Sequence, residues 1–339
     1  MQYNALKGAI LIIVCTLFSF SIAPNTSIEG SSYQERFKNL YTTIPLQWNT
    51  DVQKEVEQYL RYEDDLVNII QRKDLYFPLV QSALSKYQIP EELACITIIE
   101  SKINPDASDG NGHVGMWQMN STAAQMFDLK INKIMDERRD PYFSSEAAAQ
   151  YLKYLHDRFG DWLLAIAAYN CGEGTVSAAI KKSGNVYDYW KIRKHLPSVT
   201  RQYIPKLFAA IYLTRFYHEH GINPPMVFDN LMFDEIVTLD NEVYLSEVAA
   251  IYNVELADLQ RINPCIYKTF IPSEYAPIRI KIPFKPPHWN YATPKDEVYS
   301  HIEENLDRKL PLAFKSLEMR NISEVAMEDY IPDMKFENK

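Results

Sequence analysis

The run Leu93-Ala94-Cys95-Ile96-Thr97-Ile98-Ile99 is apolar nearly all round a helix of ordinary pitch. A helix with no face for water belongs inside a core, so the rest of the chain must supply elements to surround it. Pro90-Glu91-Glu92 opens it: proline suits the first helical position, and acidic residues suit the positive end of the helix dipole. Glu100 ends the run. A carboxyl group there is partly desolvated, which disfavours its charged form and raises its pKa. A carboxylic acid still protonated near neutral pH is what general acid catalysis needs. The plain alternative is a helix-end glutamate capped by Asn104 or turned to water.

The surrounding elements can be read from periodicity. Val52, Val56, Tyr59 and Leu60 recur at helical spacing, and so do Phe77, Val80, Leu84 and Tyr87. Residues 102–120 hold the turn signals Asn104-Pro105, Asp109-Gly110-Asn111-Gly112 and Gly115. Ser121-Thr122 is expected to cap a short helix through about Phe127. Ser144, after Asp140-Pro141, is the expected N-cap of a helix that buries Ala148, Tyr151, Leu152, Leu155 and Phe159 and closes at Gly160. Asp161 caps the next helix, Trp162 to about Tyr169, again apolar nearly all round and therefore central. Asn170-Cys171-Gly172-Glu173-Gly174 is a sharp turn. Helices over about 175–182 and from about Thr200 to His218 follow. Residues 50–222 read as one helical domain.

Asn223-Pro224-Pro225 marks a boundary. Beyond it Glu235 to Leu239 reads as a strand, Leu245 to Tyr252 and Glu255 to Ile262 as helices, and Ile278-Arg279-Ile280-Lys281-Ile282-Pro283 alternates as a strand does. Residues 234–284 therefore form a small βααβ unit. The fold class is mainly α. Residues 288–339 are charged and unpatterned and read as a poorly ordered tail, with one helix near 296–306.

At the other end, residues 1–23 carry Lys7, the apolar run Ala9 to Phe18, and then small and polar residues, which reads as a signal peptide. An uncleaved anchor is the alternative, since Pro24 sits badly just after a cleavage point at Ala23. Ile13-Val14 makes Cys15 a poor lipid-attachment site. Residues 24–49 read as a linker. An exported protein, periplasmic or attached to the envelope membrane, follows.

The 339 residues suffice for two domains, and 47% hydrophobic against 23% charged residues provides a sizeable core. A net charge of -9 argues against a nucleic-acid binder. Cys95, Cys171 and Cys265 are an odd set and no disulfide framework; they read as buried free thiols, although a Cys95–Cys171 bridge is conceivable. No spacing of Cys, His, Asp or Glu resembles a metal site, so neither metal nor cofactor is expected.

Several motifs agree in order: Ile89 to Ser108, Gly115-Met116-Trp117-Gln118-Met119, Asp136-Glu137-Arg138-Arg139-Asp140, and Ser144 to Gly174 with Ala168-Tyr169-Asn170 inside it. Together they resemble the lytic transglycosylases of bacterial cell walls, over roughly 50–220. The resemblance implies a lysozyme-like helical fold and cleavage of the β-1,4 bond between N-acetylmuramic acid and N-acetylglucosamine, with peptidoglycan glycan strands as partner. It implies that Glu100 is the catalytic acid and base, with Ser101 following it. Gly115, Met116, Trp117, Gln118 and Met119 fall on a stretch lining the saccharide groove. Tyr169 and Asn170 match the Tyr-Asn motif, and Tyr203 a late tyrosine that helps hold the catalytic carboxyl. Asp136 to Asp140 read as a structural ion network. Four departures stand out: Asp109, preceded by Ser108, replaces a usual serine; His113 stands where a small residue is common; Asn120, next to Met119, replaces a common methionine; Val199 replaces a glutamate. Asp109 is thereby a candidate for positioning water. The 234–284 unit resembles LysM, a glycan-binding module, but lacks the usual Gly-Asp near its start. A muramidase on the same fold and a non-catalytic wall-binding protein are the alternatives.

Overall fold

The computed structural model describes residues 33–225, 231 and 233–283. The expected signal or anchor segment, the start of the linker and the C-terminal tail with its helix lie outside the described residues. Residues 33–38 are helical and belong to a first unit; a second begins at Leu40 and holds everything discussed below.

Helix α1 (Thr50–Arg61) is started by Asn49, whose side chain accepts the N–H groups of Asp51 and Val52 at 3.0 Å. Helix α2 (Glu63–Lys86) carries three acids in its first turn and buries Leu66, Ile69, Ile70, Phe77, Val80 and Leu84. The apolar run then enters the core as expected, but in two pieces. Glu91–Cys95 is a 3-10 helix, and only Ile96–Ser101 (α3) is α-helical. Pro90 stands at the N-cap with extended ψ rather than at the first helical position.

Two other helix starts differ from expectation by one to four residues. Helix α4 (Ser121–Met126) is capped by Asn120, which accepts the Ala123 N–H at 2.8 Å. Helix α5 (Pro141–Phe159) is capped by Asp140, which accepts from Tyr142 and Phe143, with Pro141 in the first turn; Ser144 lies inside the helix and donates its hydroxyl to the Asp140 carbonyl. Gly160, at φ +67°, ends α5 and Asp161 caps α6 (Trp162–Cys171), whose residues 163–168 are all buried. Helices α7 (Glu173–Lys182) and α8 (Tyr189–Ile192) lead to α9 (Ser198–Phe216), which packs on α1, α3 and α6. Helix α5 fills the space between α2 and α6. Each fully buried isoleucine or leucine in this core contributes roughly 1.5–3 kcal/mol relative to exposure.

The C-terminal segment has β1 (Phe233–Leu239), β2 (Val243–Tyr244), α10 (Leu245–Ile251), α11 (Leu256–Ile262), β3 (Phe270–Ile271) and β4 (Ile278–Pro283). β1 pairs antiparallel with β4, with Val237 opposite Ile280, and β2 pairs with β3. The two short strands were not expected, because two residues carry no alternation to read. β4 also departs from a half-buried strand. Ile278, Ile280 and Ile282 face the unit's core, and on the other face Lys281 is only 3% exposed. The reason is that the helical body covers that face, where Lys281 meets Asp140 and the Phe143 ring; on the isoleucine face Ile134 and Met135, from the connection between α4 and α5, complete the core formed with Leu245, Val248 and Leu259.

Candidate active site

Glu100 is the penultimate residue of α3. The helix stops there because Lys102 and Ile103 take left-handed backbone conformations, φ +54° and +56°. Their N–H groups fold back to the carbonyls of Ile98 and Thr97 at 2.9 and 3.0 Å, closing the helix end. Neither residue is glycine, so the stop carries strain that the surrounding packing must hold.

The segment Gly115–Met119 lies against this helix end with its carbonyls pinned one by one. Gln118 Nε2 donates to Gly115 O at 2.7 Å, the Ser101 hydroxyl to Met116 O at 2.9 Å, the Tyr169 hydroxyl to Trp117 O at 2.7 Å, and Arg138 Nη1 to Met119 O at 3.1 Å. The Ser101 hydroxyl also accepts the Asn104 N–H at 3.0 Å, and Arg138 Nη1 donates to Gly112 O at 2.7 Å. Arg138 is itself buried and paired with Asp136 at 2.7 Å. Gly115 sits at φ +82°, and a Cβ there would lie 1.9 Å from Arg138 O. Only glycine permits this approach.

The geometry corrects part of the sequence reading. Met116, Trp117 and Met119 are at most 3% exposed, and Trp117 Nε1 donates to Ser145 Oγ at 2.9 Å inside the core. Their side chains are packing; what they present toward Ser101, Tyr169 and Arg138 is main chain. Asn170 is in the last turn of α6, its Oδ1 accepting the Thr200 hydroxyl at 2.8 Å. Asp109 is engaged within its own turn: Oδ1 accepts the N–H groups of Asn111 (2.7 Å) and His113 (3.0 Å), and Oδ2 meets His113 Nδ1 at 2.8 Å. Against a desolvation cost, these hydrogen bonds hold the Asp109 carboxyl down at about 2. Ser108 Oγ accepts only a long contact, 3.4 Å, from Gly110 N–H in the same exposed turn.

Glu100, Tyr169 and Tyr203 come together. The Tyr203 hydroxyl, from the first half of α9, donates to Glu100 Oε1 at 2.5 Å. Burial lifts the Glu100 carboxyl to about 7, against the opposing pull of the Tyr203 hydroxyl and the nearby His113. Tyr169 lies close enough for the Glu100 charge to raise its own pKa further, after burial. Tyr151 packs on Tyr169 with ring centroids 5.5 Å apart, and Tyr154 stacks on Tyr151 at 6.4 Å, so an aromatic wall leads away from Glu100. Because the Tyr203 hydroxyl favours the carboxylate, Tyr203→Phe is expected to move the Glu100 pKa above 7. An isotope-edited NMR titration of the glutamate carboxyls measures it; an unchanged or lower value refutes the assignment.

Arg138, Ser145 and Thr200 were not singled out as positioning groups by the sequence. Arg138 had a signal, the dense charge run 136–140, but nothing in that run says that its guanidinium reaches residues 112 and 119. Cys95 and Cys265 are buried free thiols, and Cys171 is free and half-buried, so the conceivable Cys95–Cys171 bridge is absent. Among the described residues no cluster of His, Cys, Asp and Glu is arranged to hold a metal ion, and no helix is long and apolar enough to cross a membrane. A cavity of about 280 Å³ opens elsewhere, between α2, the 3-10 turn and α9, and Glu100 is not among its lining residues.

Residues 78–191 match the family model described as the transglycosylase SLT domain. The membrane-bound lytic murein transglycosylase D of Escherichia coli (strain K12) is 31% identical over 219 residues, 63% of this chain and 48% of that protein. A putative tributyltin chloride resistance protein of Alteromonas sp. (strain M-1) is 38% identical over 115 residues, covering 34% of this chain and 56% of that one. Among solved structures, the 70 kDa soluble lytic transglycosylase of Escherichia coli aligns over 57% of this chain and 34% of its own, with 20% identity and a TM-score of 0.38. The chain spans about half the length of the murein transglycosylase D sequences that it matches.

Proposed function

We propose that this chain, whose residues 78–191 match the transglycosylase SLT domain model, cleaves the glycan strands of peptidoglycan as a lytic transglycosylase, at the cell envelope. The observation that carries the reading is the Glu100 carboxyl, lifted to about 7 and held by Tyr203 beside the Gly115–Met119 segment. A carboxyl with that value keeps a substantial protonated fraction near neutrality, as a general acid needs.

Glycosidases that use water flank the bond with two carboxyl groups. Here one suffices. Glu100 gives its proton to the glycosidic oxygen between N-acetylmuramic acid and N-acetylglucosamine, and the bond from that oxygen to the muramyl anomeric carbon breaks. The electron-poor carbon is supported by the sugar's own N-acetyl group. Glu100, now a carboxylate, accepts the proton of the muramyl 6-hydroxyl as that oxygen bonds to the anomeric carbon, closing a 1,6-anhydro ring. Glu100 ends protonated and no water is consumed. The attacking hydroxyl is tethered in the same molecule, which gives it a high effective concentration over water. The Tyr203 hydroxyl fixes the carboxyl's orientation through both steps, and the Tyr151–Tyr154 wall offers apolar faces to sugar rings.

Mass spectrometry of digested sacculi tests this. Fragments ending in anhydro-muramyl residues, lighter by one water than reducing ends, are the expected result. Reducing ends alone assign a muramidase instead, with Asp109 or His113 as the group that orients water. Sacculi bound but uncut assign a wall-binding protein. The rate is expected to fall as pH rises through about 7, because the acid is lost; a rate that stays level to pH 9 refutes Glu100 as the acid.

A further inference from the structure

We infer that β4 of the C-terminal βααβ unit is a positioning element of the Glu100 site, acting through Lys281 and Arg279. The inference rests on the lytic transglycosylase reading only for its activity readout.

The segment 130–143 is held from both sides. Toward the site, Arg138 holds Gly112 O and Met119 O, and its own carbonyl packs where a Cβ on residue 115 would be. On the other side, the acids of the same segment meet β4. The Lys281 ammonium lies 2.6 Å from Asp140 Oδ2, both side chains at most 4% exposed. Arg279 donates to Glu137 Oε2 at 2.7 Å and to Oε1 at 3.2 Å, and its guanidinium lies 4.0 Å from the centre of the Phe143 ring. The Glu137 side chain is fully buried. Asp140 is at the same time the N-cap of α5.

Main chain joins the two parts as well. Asp136 N donates to Cys265 O at 2.9 Å, and Tyr267 N to Ile134 O at 2.8 Å. Arg139 reaches both ways, to Asp106 O at 2.7 Å and to the Tyr267 hydroxyl at 3.1 Å. The charges of this stretch divide between the two sides: Glu137 and Asp140 take their cations from β4, while Arg138, paired with Asp136, is spent on the 112–119 loop. Without β4, two buried carboxylates lose their cations, a state that buried charge does not tolerate. The segment must then move, and Arg138 moves with it. The βααβ unit is thus the outer half of a clamp whose inner half sets the wall beside Glu100.

The test uses the full chain with Lys281→Met, Arg279→Met and Lys281→Arg. Hydrogen exchange of the Gly115 and Met119 amides, bonded to Ala107 O and Val114 O, reads the loop whatever reaction the chain performs. Exchange is expected to accelerate at least tenfold in both methionine variants, with amides in α7 unchanged and Lys281→Arg close to wild type. On sacculi, kcat per folded molecule falls about tenfold with KM little changed. Arg279, partly exposed, provides a variant that folds if Lys281→Met does not. Wild-type exchange at residues 115 and 119 in either folded variant, or a lower melting temperature with unaltered kcat, overturns the inference. If the wild-type chain cuts no murein, the activity reading fails while the exchange result still decides the clamp.

Discussion

Glu100→Gln is expected to lower cleavage of sacculi by a factor of roughly 10²–10⁴, the usual worth of a positioned general acid, while making the protein more stable at alkaline pH. The two effects have one origin. The amide keeps the shape and still accepts the Tyr203 hydroxyl, but it has no proton to give. The folded state raises the Glu100 pKa from 4.5 to about 7. A raised pKa means that stability is fully present below the ordinary value and is lost as pH rises through the folded one. The interval amounts to roughly 3 kcal/mol, lost progressively from about pH 4.5 and fully absent above about pH 8. Glutamine does not titrate, so its stability relative to wild type should climb by up to about 3 kcal/mol between pH 4 and pH 8. Urea titrations at the two pH values measure the difference. A difference that is flat with pH means that Glu100 is not buried as described; cleavage within a factor of ten of wild type means that it is not the acid.

Gly115→Ala is expected to cost at least about 3 kcal/mol of stability, or to leave a folded protein with the 112–119 loop displaced and cleavage largely lost. The left-handed backbone alone costs an alanine about 1 kcal/mol. The larger part is steric: the new methyl would lie 1.9 Å from Arg138 O. Relief requires the Arg138 peptide to withdraw by more than an ångström. That peptide is anchored by the Arg138–Asp136 pair and, through Glu137 and Asp140, by β4. Gly174→Ala is the control, since no atom lies within 4 Å of its Cβ position and its φ is ordinary; it is expected to change stability by less than about 0.5 kcal/mol. Equal effects for the two substitutions would show that the close approach at Gly115 is not a constraint.

The core helices were legible because periodicity and caps fixed them. The all-apolar runs at 93–99 and 162–169 did enter the interior, and Gly160 ended α5 and Asp161 started α6 where they should. Glu100 was legible as a desolvated carboxyl for the same reason: it stands where a run with no wet face stops. The cap residues at α4 and α5 were displaced, because Asn120-Ser121 and Asp140 with Ser144 each offer more than one competent acceptor, and only tertiary packing chooses between them. The direction of Met116, Trp117 and Met119 was not legible. In an irregular loop no period says which side is inward, and here the side chains go in while the carbonyls are pinned. The alternation of Ile-Arg-Ile-Lys-Ile reads as one dry and one wet face. That the basic face meets Glu137 and Asp140, some 140 residues earlier, is a long-range match of charges that no local pattern announces.

The thiols of the second unit carry a consequence for chemistry away from Glu100. Disulfide exchange and oxidation proceed through the thiolate. Burial pushes the Cys95 thiol to about 12, and burial followed by the Asp140 charge pushes Cys265 well above its ordinary value. At pH 7 the reactive form of Cys95 is therefore roughly one part in 10⁵. In an oxidising compartment these two sulfurs are spectators; Cys171 is the more accessible thiol among the described residues, although burial raises its pKa as well.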